Sequence, residues 1–123
     1  MYKIYKNKVF NSKIGRLVKF TSKDSKFFKK FGEVYFNEIK RSKKENDWIF
    51  HKKYQCIILV IQGKIQFNIK NKKKIKKLNL SNKRILVISP CTWFKFSSIT
   101  KSALFVNLID GSHDPKETIR EKI

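Results

Sequence analysis

Apolar residues in this chain come in short runs that alternate with polar ones, and polar turns separate the runs. Aromatic and β-branched side chains dominate the runs, the types that fit a pleated, half-buried surface. The pattern predicts strands over Lys3–Val9, Gly15–Phe20, Gly32–Ile39, Trp48–Ile61, Lys64–Ile69, Lys74–Leu80, Arg84–Ile88, Trp93–Ser97 and Ser102–Leu108. Turn signals such as Gln62-Gly63, Asn71-Lys72-Lys73 and Ser89-Pro90 fall between them. Two segments read as short helices. In Ser22–Phe31, Phe27, Phe28 and Phe31 share one helical face and Ser22 or Asp24 supplies a cap. In Pro115–Lys122, Asp114 caps a helix with proline at its first position. Many short strands with almost no helix mean a sandwich or barrel. The expected class is therefore all-β with one or two short helices, in one domain over residues 1–123.

Alternation also sorts side chains onto faces. Tyr35 and Asn37 oppose Val34 and Phe36. If Trp48–Ile61 is one strand, His51, Lys53 and Gln55 share a face opposite Lys52, Tyr54 and Cys56. That strand is apolar on both faces after its head, as a strand buried inside a barrel would be.

Composition changes this picture little. The formal net charge of +21 suggests nucleic acid. However, only four of the 30 basic residues are Arg, and Lys, Ile, Asn and Phe are abundant together while Ala103 is the one alanine. That is the signature of A/T-rich codons filling solvated faces with lysine. Base readers favour Arg, so no nucleic-acid partner is expected. No apolar stretch reaches about 18 residues, so no membrane span is expected. The lysine-rich start lacks the apolar core of a signal peptide. Cys56 and Cys91 lack metal or redox spacing and read as buried free thiols of a cytoplasmic protein.

Five segments in order carry a resemblance: "GEVYFNEI" (Gly32–Ile39), "HKK" (His51–Lys53), "IQGKIQF" (Ile61–Phe67), "ISPCTWFKF" (Ile88–Phe96) and "NLIDGSHDPKETIR" (Asn107–Arg120). Together the set resembles the short cupins grouped with dTDP-4-dehydrorhamnose 3,5-epimerase and the dTDP-sugar 3,4-ketoisomerases, the WxcM-like proteins. The resemblance implies a double-stranded β-helix, or jelly roll, assembled as a homodimer. It implies a barrel cavity for a dTDP- or GDP-linked 4-keto-6-deoxyhexose and a role in surface-polysaccharide biosynthesis. The leading expectation is epimerase-like proton transfer next to the keto group. The alternatives are 3,4-keto transfer and a noncatalytic carbohydrate-binding cupin.

The departures from the family are specific. Where metal-binding cupins place histidines, this chain has Ile49 and Phe94, so neither a metal nor a cofactor is expected. The epimerases' catalytic tyrosine falls at Asn107. Their histidine takes its carboxylate partner from a C-terminal extension, which is expected to be missing here.

Proton transfer next to a ketone needs a base, an enolate stabiliser and a proton donor. Histidine titrates near neutrality, and His51 is the candidate base. Lys53 is the candidate to offset charge on an enolate or diphosphate, and Tyr35 to donate a proton or bond a sugar hydroxyl. Glu33 or Glu38 is a candidate to orient His51. Glu38, Gln55 and Asn107 are carried as substrate contacts, and Trp93, beside Phe94, as a surface for the nucleobase. The plain alternative is that His51 and Lys53 face solvent at a strand start. His113 reads as a loop residue that caps Asp114-Pro115.

Overall fold

The computed structural model describes residues 1–44, 46–112 and 114–122. Two five-stranded antiparallel sheets face each other. The first runs in the order β1 (Tyr2–Lys6), β9 (Arg84–Ile88), β6 (Cys56–Gln62), β11 (Ser102–Ile109), β4 (Glu33–Lys40). The second runs β12 (Thr118–Glu121), β5 (Trp48–His51), β10 (Trp93–Ser98), β7 (Ile65–Asn71), β8 (Lys74–Leu80). A separate hairpin joins β2 (Val9–Ser12) to β3 (Gly15–Val18). The alternating pattern predicted an all-β sandwich or barrel, and two facing sheets are what forms, as the jelly roll implied by the resemblance requires.

Period-two alternation builds the core. On β7, Ile65, Phe67 and Ile69 are buried while Gln66, Asn68 and Lys70 turn outward. They meet Ile58, Val60, Leu86, Ile88 and Phe105 from the opposite sheet in one apolar cluster. Strand β6 is buried on both faces, as its sequence indicated. Its outer residues Ile57 and Leu59 lie under Tyr5, Val18, Phe20, Phe27 and Phe28 of the N-terminal segment. Each large apolar side chain fully buried in this way contributes about 1.5–3 kcal/mol.

Three local expectations fail for physical reasons. Ser22–Phe31 forms turns, not a helix, and no helix occurs among the described residues. The hydroxyls of Ser22 and Ser25 bind the local backbone at Asp24 and Ser22, an alternative to helical bonding. Phe27 and Phe28 reach the sheet without helical spacing, while Phe31 stays exposed. Asp114 does accept the Lys116 N–H, but it closes a turn, after which Thr118–Glu121 runs as an edge strand on β5. The β-branched Thr118 and Ile119 suit that ladder better than a helix. Finally, Trp48–Ile61 is two strands. The chain leaves the second sheet after His51 and enters the first at Cys56. That corner ends the alternation, so Lys53 and Gln55 do not share the face of His51.

Cys56 is buried as expected, but Cys91 is exposed. Cys91 sits at φ 64° in the turn before β10, where its N–H donates to the His51 carbonyl at 2.7 Å and its side chain points outward. Gly63 has φ 77° in the β6–β7 turn. An added Cβ there would lie 2.5 Å from Thr100 Oγ1 and 2.6 Å from the Ser102 carbonyl. Thr100 cannot yield easily, because its hydroxyl accepts from Lys64 N–H and donates to that same carbonyl. Gly63→Ala is expected to cost about 2–4 kcal/mol, read as a lower urea midpoint. An unchanged midpoint would show that the turn relaxes freely.

Candidate active site

Between the sheets lies a cavity of about 750 Å³. Strand β4 contributes Tyr35 and Asn37, β11 contributes Phe105, Asn107 and Ile109, and β6 contributes Ile58. Across from them stand Ile49 and His51 of β5, Phe94 and Phe96 of β10, and Thr118 and Arg120 of β12. Tyr54 and Pro115 close the rim. The walls are mainly apolar and aromatic, with a few polar groups converging from both sheets, the usual constitution of a small-molecule site.

His51 is the last residue of β5 and sits opposite Thr118 on β12. Its Nδ1 lies 2.7 Å from Glu117 Oε1 and 3.0 Å from Thr118 Oγ1. Glu117 is 2% exposed, and four donors surround its carboxylate. Lys53 N–H and Tyr54 N–H donate to Oε2 at 3.0 and 3.3 Å. The Thr118 hydroxyl donates to Oε1 at 2.6 Å, beside the His51 ring nitrogen. Burial alone would raise the carboxyl's pKa. The bonds from Thr118, Lys53 and His51 outweigh burial and hold it below the ordinary carboxylate range. An ionised carboxylate accepts only, so Nδ1 must carry the proton. Nε2 then presents a lone pair, the form a general base requires.

This dyad corrects the expectation that His51 lacks a carboxylate. Neither Glu33 nor Glu38 supplies it. Glu117 does, from the C-terminal segment that reads as helical in sequence but folds back onto β5. A strand reading of "TIRE" (Thr118–Glu121) would also have put Thr118 and Arg120 on one face, the face that lines the cavity.

The other candidates divide. Tyr35 and Asn107 line the cavity and are direct cross-strand partners. The Tyr35 hydroxyl donates to the Glu33 carboxylate, and that bond, with burial, pushes its pKa up to about 12. Tyr35 is thereby a bound phenol and not a base. Asn107 faces Cys56, whose Sγ lies 3.7 Å from its Nδ2. Lys53 is exposed and joins the site through its backbone N–H alone. Gln55 is buried away from the cavity, donating its side-chain amide to the Phe27 carbonyl at 2.7 Å. Glu38 is exposed on the outer face of β4, since alternation turns Tyr35 and Asn37 inward and Glu38 outward. Trp93 likewise faces out of β10 and packs on Phe50 at 4.9 Å, while its neighbour Phe94 lies in the cavity. His113 lies outside the described residues.

Ile49 and Phe94 do stand in the cavity beside His51, and neither can coordinate an ion. Among the described residues, no group of three His, Cys, Asp or Glu side chains gathers closely enough to hold a metal. No described helix is long and apolar enough to cross a membrane.

No protein-family model and no curated protein matches the chain. Solved structures do. A dTDP sugar isomerase from Desulfovibrio desulfuricans G20 is 23% identical, over 98% of this chain and 83% of that one, with a TM-score of 0.90. A histidine-to-asparagine variant of the 3,4-ketoisomerase QdtA from Thermoanaerobacterium thermosaccharolyticum, in complex with TDP-4-keto-6-deoxyglucose, is 21% identical over 98% and 87%, with a TM-score of 0.85. The epimerase RmlC from Legionella pneumophila Philadelphia 1, in complex with dTDP-4-keto-L-rhamnose, is 13% identical over 97% and 71%, with a TM-score of 0.77. The chain therefore has the cupin-like jelly-roll fold that these sugar-nucleotide isomerases and epimerases share.

Proposed function

We propose that the protein is a cofactor-independent isomerase of a dTDP-linked 4-keto-6-deoxyhexose, with His51 as the base. The single observation that carries this reading is the His51–Glu117 dyad, its carboxylate buried and its imidazole lining a cavity wide enough for a sugar. The likeness of the fold to isomerases of such substrates supports it. The ketone at C4 acidifies the C3 proton. His51 Nε2 takes that proton and the electron pair passes into the C4 carbonyl, giving an enolate. Glu117 stabilises the imidazolium formed. The apolar surface of Phe94, Phe96 and Phe105 suits the C6 methyl group. Arg120, exposed at the cavity edge, has the planar donor fork that a diphosphate requires, the part Lys53 had been expected to play.

Of the two outcomes open to an enolate, keto transfer fits better than epimerisation. Inversion needs a donor on the opposite face of the ring. Asn107 stands where the epimerases have tyrosine, and the proton of Tyr35 is held by Glu33. Keto transfer needs only one base. The C3 hydroxyl proton passes to the C4 enolate oxygen, and the imidazolium then returns its proton to C4 on the same face, leaving the ketone at C3. Incubation with dTDP- and GDP-4-keto-6-deoxyhexoses, with products identified by NMR, tests this. A 3-keto product supports keto transfer and an inverted centre supports epimerisation. Tight binding without any product would leave a noncatalytic sugar-binding cupin.

The homodimer belongs to the same proposal. Val34 is 39% and Phe36 69% exposed on the outer face of β4, an edge strand of its sheet, and neighbouring Phe31 is 66% exposed. Apolar surface of this kind at a sheet edge is suited to cover by a second copy. Light scattering at micromolar concentration is expected to report a dimer for the wild type and a folded monomer for Phe36→Asp. A monomeric wild type would refute the assembly.

A further inference from the structure

The second sheet carries a charge asymmetry that the cavity does not use. In its five strands only Glu121 is acidic, on the edge strand β12. At the opposite edge, six of the eight residues Lys70–Lys77 are lysines, and every residue from Asn71 to Lys77 is exposed. No Asp or Glu occurs between Asp47 and Asp110. Codon bias explains abundant lysine but not missing acids, since glutamate also has an A-rich codon. The outer face of this sheet is apolar as well as basic. Cross-strand pairing lays Ile119, Phe50, Trp93, Lys70 and Ile75 in one row across all five strands. They face outward because Thr118, Ile49, His51 and Phe94 face the cavity. Ile75 is 53% exposed, and Ile119, Phe50 and Trp93 are half-buried. The next row holds Lys95, Asn68 and Lys77, and Lys72-Lys73 forms the tip of the β7–β8 hairpin.

We propose that this outer face seats the protein on an anionic lipid bilayer, with Lys70, Lys72, Lys73 and Lys77 against the headgroups and Trp93 and Ile75 at their level. An apolar row rimmed by one sign of charge matches a surface that is apolar below and anionic above. Lysine can lay its stem along the row and hold its ammonium at the phosphates, and an indole settles at the headgroup level. A nucleic-acid strand would call for arginine and several free rings. Here the one arginine of the sheet, Arg120, turns into the cavity, and the Trp93 and Phe50 rings pack on each other at 4.9 Å. Val34 and Phe36 belong to the other sheet, so assembly through them leaves this face open.

Co-sedimentation with vesicles of equimolar phosphatidylglycerol and phosphatidylcholine, against phosphatidylcholine alone, tests this. The wild type is expected to pellet with the first and not with the second. Added salt should release it as the Debye length shrinks from about 10 Å at 0.1 M to about 3 Å at 1 M. Lys72→Gln, Lys73→Gln and Lys77→Gln together should weaken binding about 100-fold, at about fivefold per lysine, with the urea midpoint unchanged. A second triple variant removes equal charge elsewhere. Lys26→Gln, Lys29→Gln and Lys30→Gln lie beside Phe27 and Phe28, which cover the outer face of the first sheet, and should leave binding as in the wild type. Brominated phosphatidylcholine in the mixed vesicles should quench tryptophan fluorescence in the wild type and not in Trp93→Phe, where only Trp48, 3% exposed, remains. No pelleting with the anionic vesicles, or equal weakening by the two triple variants, would overturn the proposal. So would self-association of the first variant with unchanged vesicle binding, which would assign the lysines to protection of the β8 edge. Capture of a single-stranded oligonucleotide through these lysines, by a protein that ignores the vesicles, would make this a nucleic-acid face instead.

Discussion

His51→Asn is expected to lower turnover of the 4-keto sugar by about 10²–10⁴-fold, the range of general-base catalysis. At about 1.4 kcal/mol per decade, this raises the barrier by about 3–5 kcal/mol. Asparagine can still bond Glu117 through its side-chain amide, so the pocket should keep its shape. Binding of the sugar nucleotide, measured by calorimetry on the same samples, should change little, because the binding groups proposed above, Arg120 and the aromatic wall, are untouched. A mutant that turns over as fast as the wild type would remove His51 from the reaction. A mutant that loses binding and turnover in proportion would make His51 a binding residue instead.

Glu117→Gln should act on both stability and rate. The carboxylate accepts from two backbone N–H groups as well as from Thr118 and His51. A glutamine sets an NH₂ group among those donors, so buried N–H groups lose their acceptor. The expected loss of folding stability is about 2–4 kcal/mol. Turnover should fall at least about tenfold, because the neutral amide neither fixes the Nδ1–H tautomer nor stabilises an imidazolium. The pH dependence has a definite sign. The folded carboxyl is held below its ordinary value. Its stabilisation is thus complete above the unfolded carboxylate pKa of about 4.3 and is lost as pH falls through the lower folded value. Urea midpoints of wild type and Glu117→Gln should therefore differ most at neutral pH and converge in acid. A gap that holds constant down to pH 3 would contradict an ionised Glu117.

What was legible in the sequence follows from what is local. Alternation placed Tyr35 and Asn37 opposite Val34 and Phe36, and β4 has that arrangement. The both-face apolar run Cys56–Val60 is buried as read, and His51 does open into a cavity. The misses are non-local. The corner between His51 and Cys56 is set by the crossing of the chain between two sheets, which no residue in "HKKYQ" announces, and it misplaced Lys53 and Gln55. Glu117 reaches His51 across 66 positions, through the pairing of β12 with β5. Its segment, with Asp114 and Pro115 ahead of it, has the local chemistry of a helix start, and only the open edge of β5 makes it a strand. Trp93 and Phe94 were equally aromatic in sequence. The register of β10, in which Phe94 pairs with Ile49, decides that Phe94 enters the cavity and Trp93 does not.

The most direct test is solvent isotope uptake. Wild-type protein is incubated with dTDP-4-keto-6-deoxyglucose in deuterated water, and the sugar is followed by proton NMR. The C3 proton signal is expected to fade as solvent deuterium enters beside the ketone, at a rate that collapses in His51→Asn. A bound sugar that retains its C3 proton indefinitely, or one that exchanges equally fast with and without His51, would contradict it.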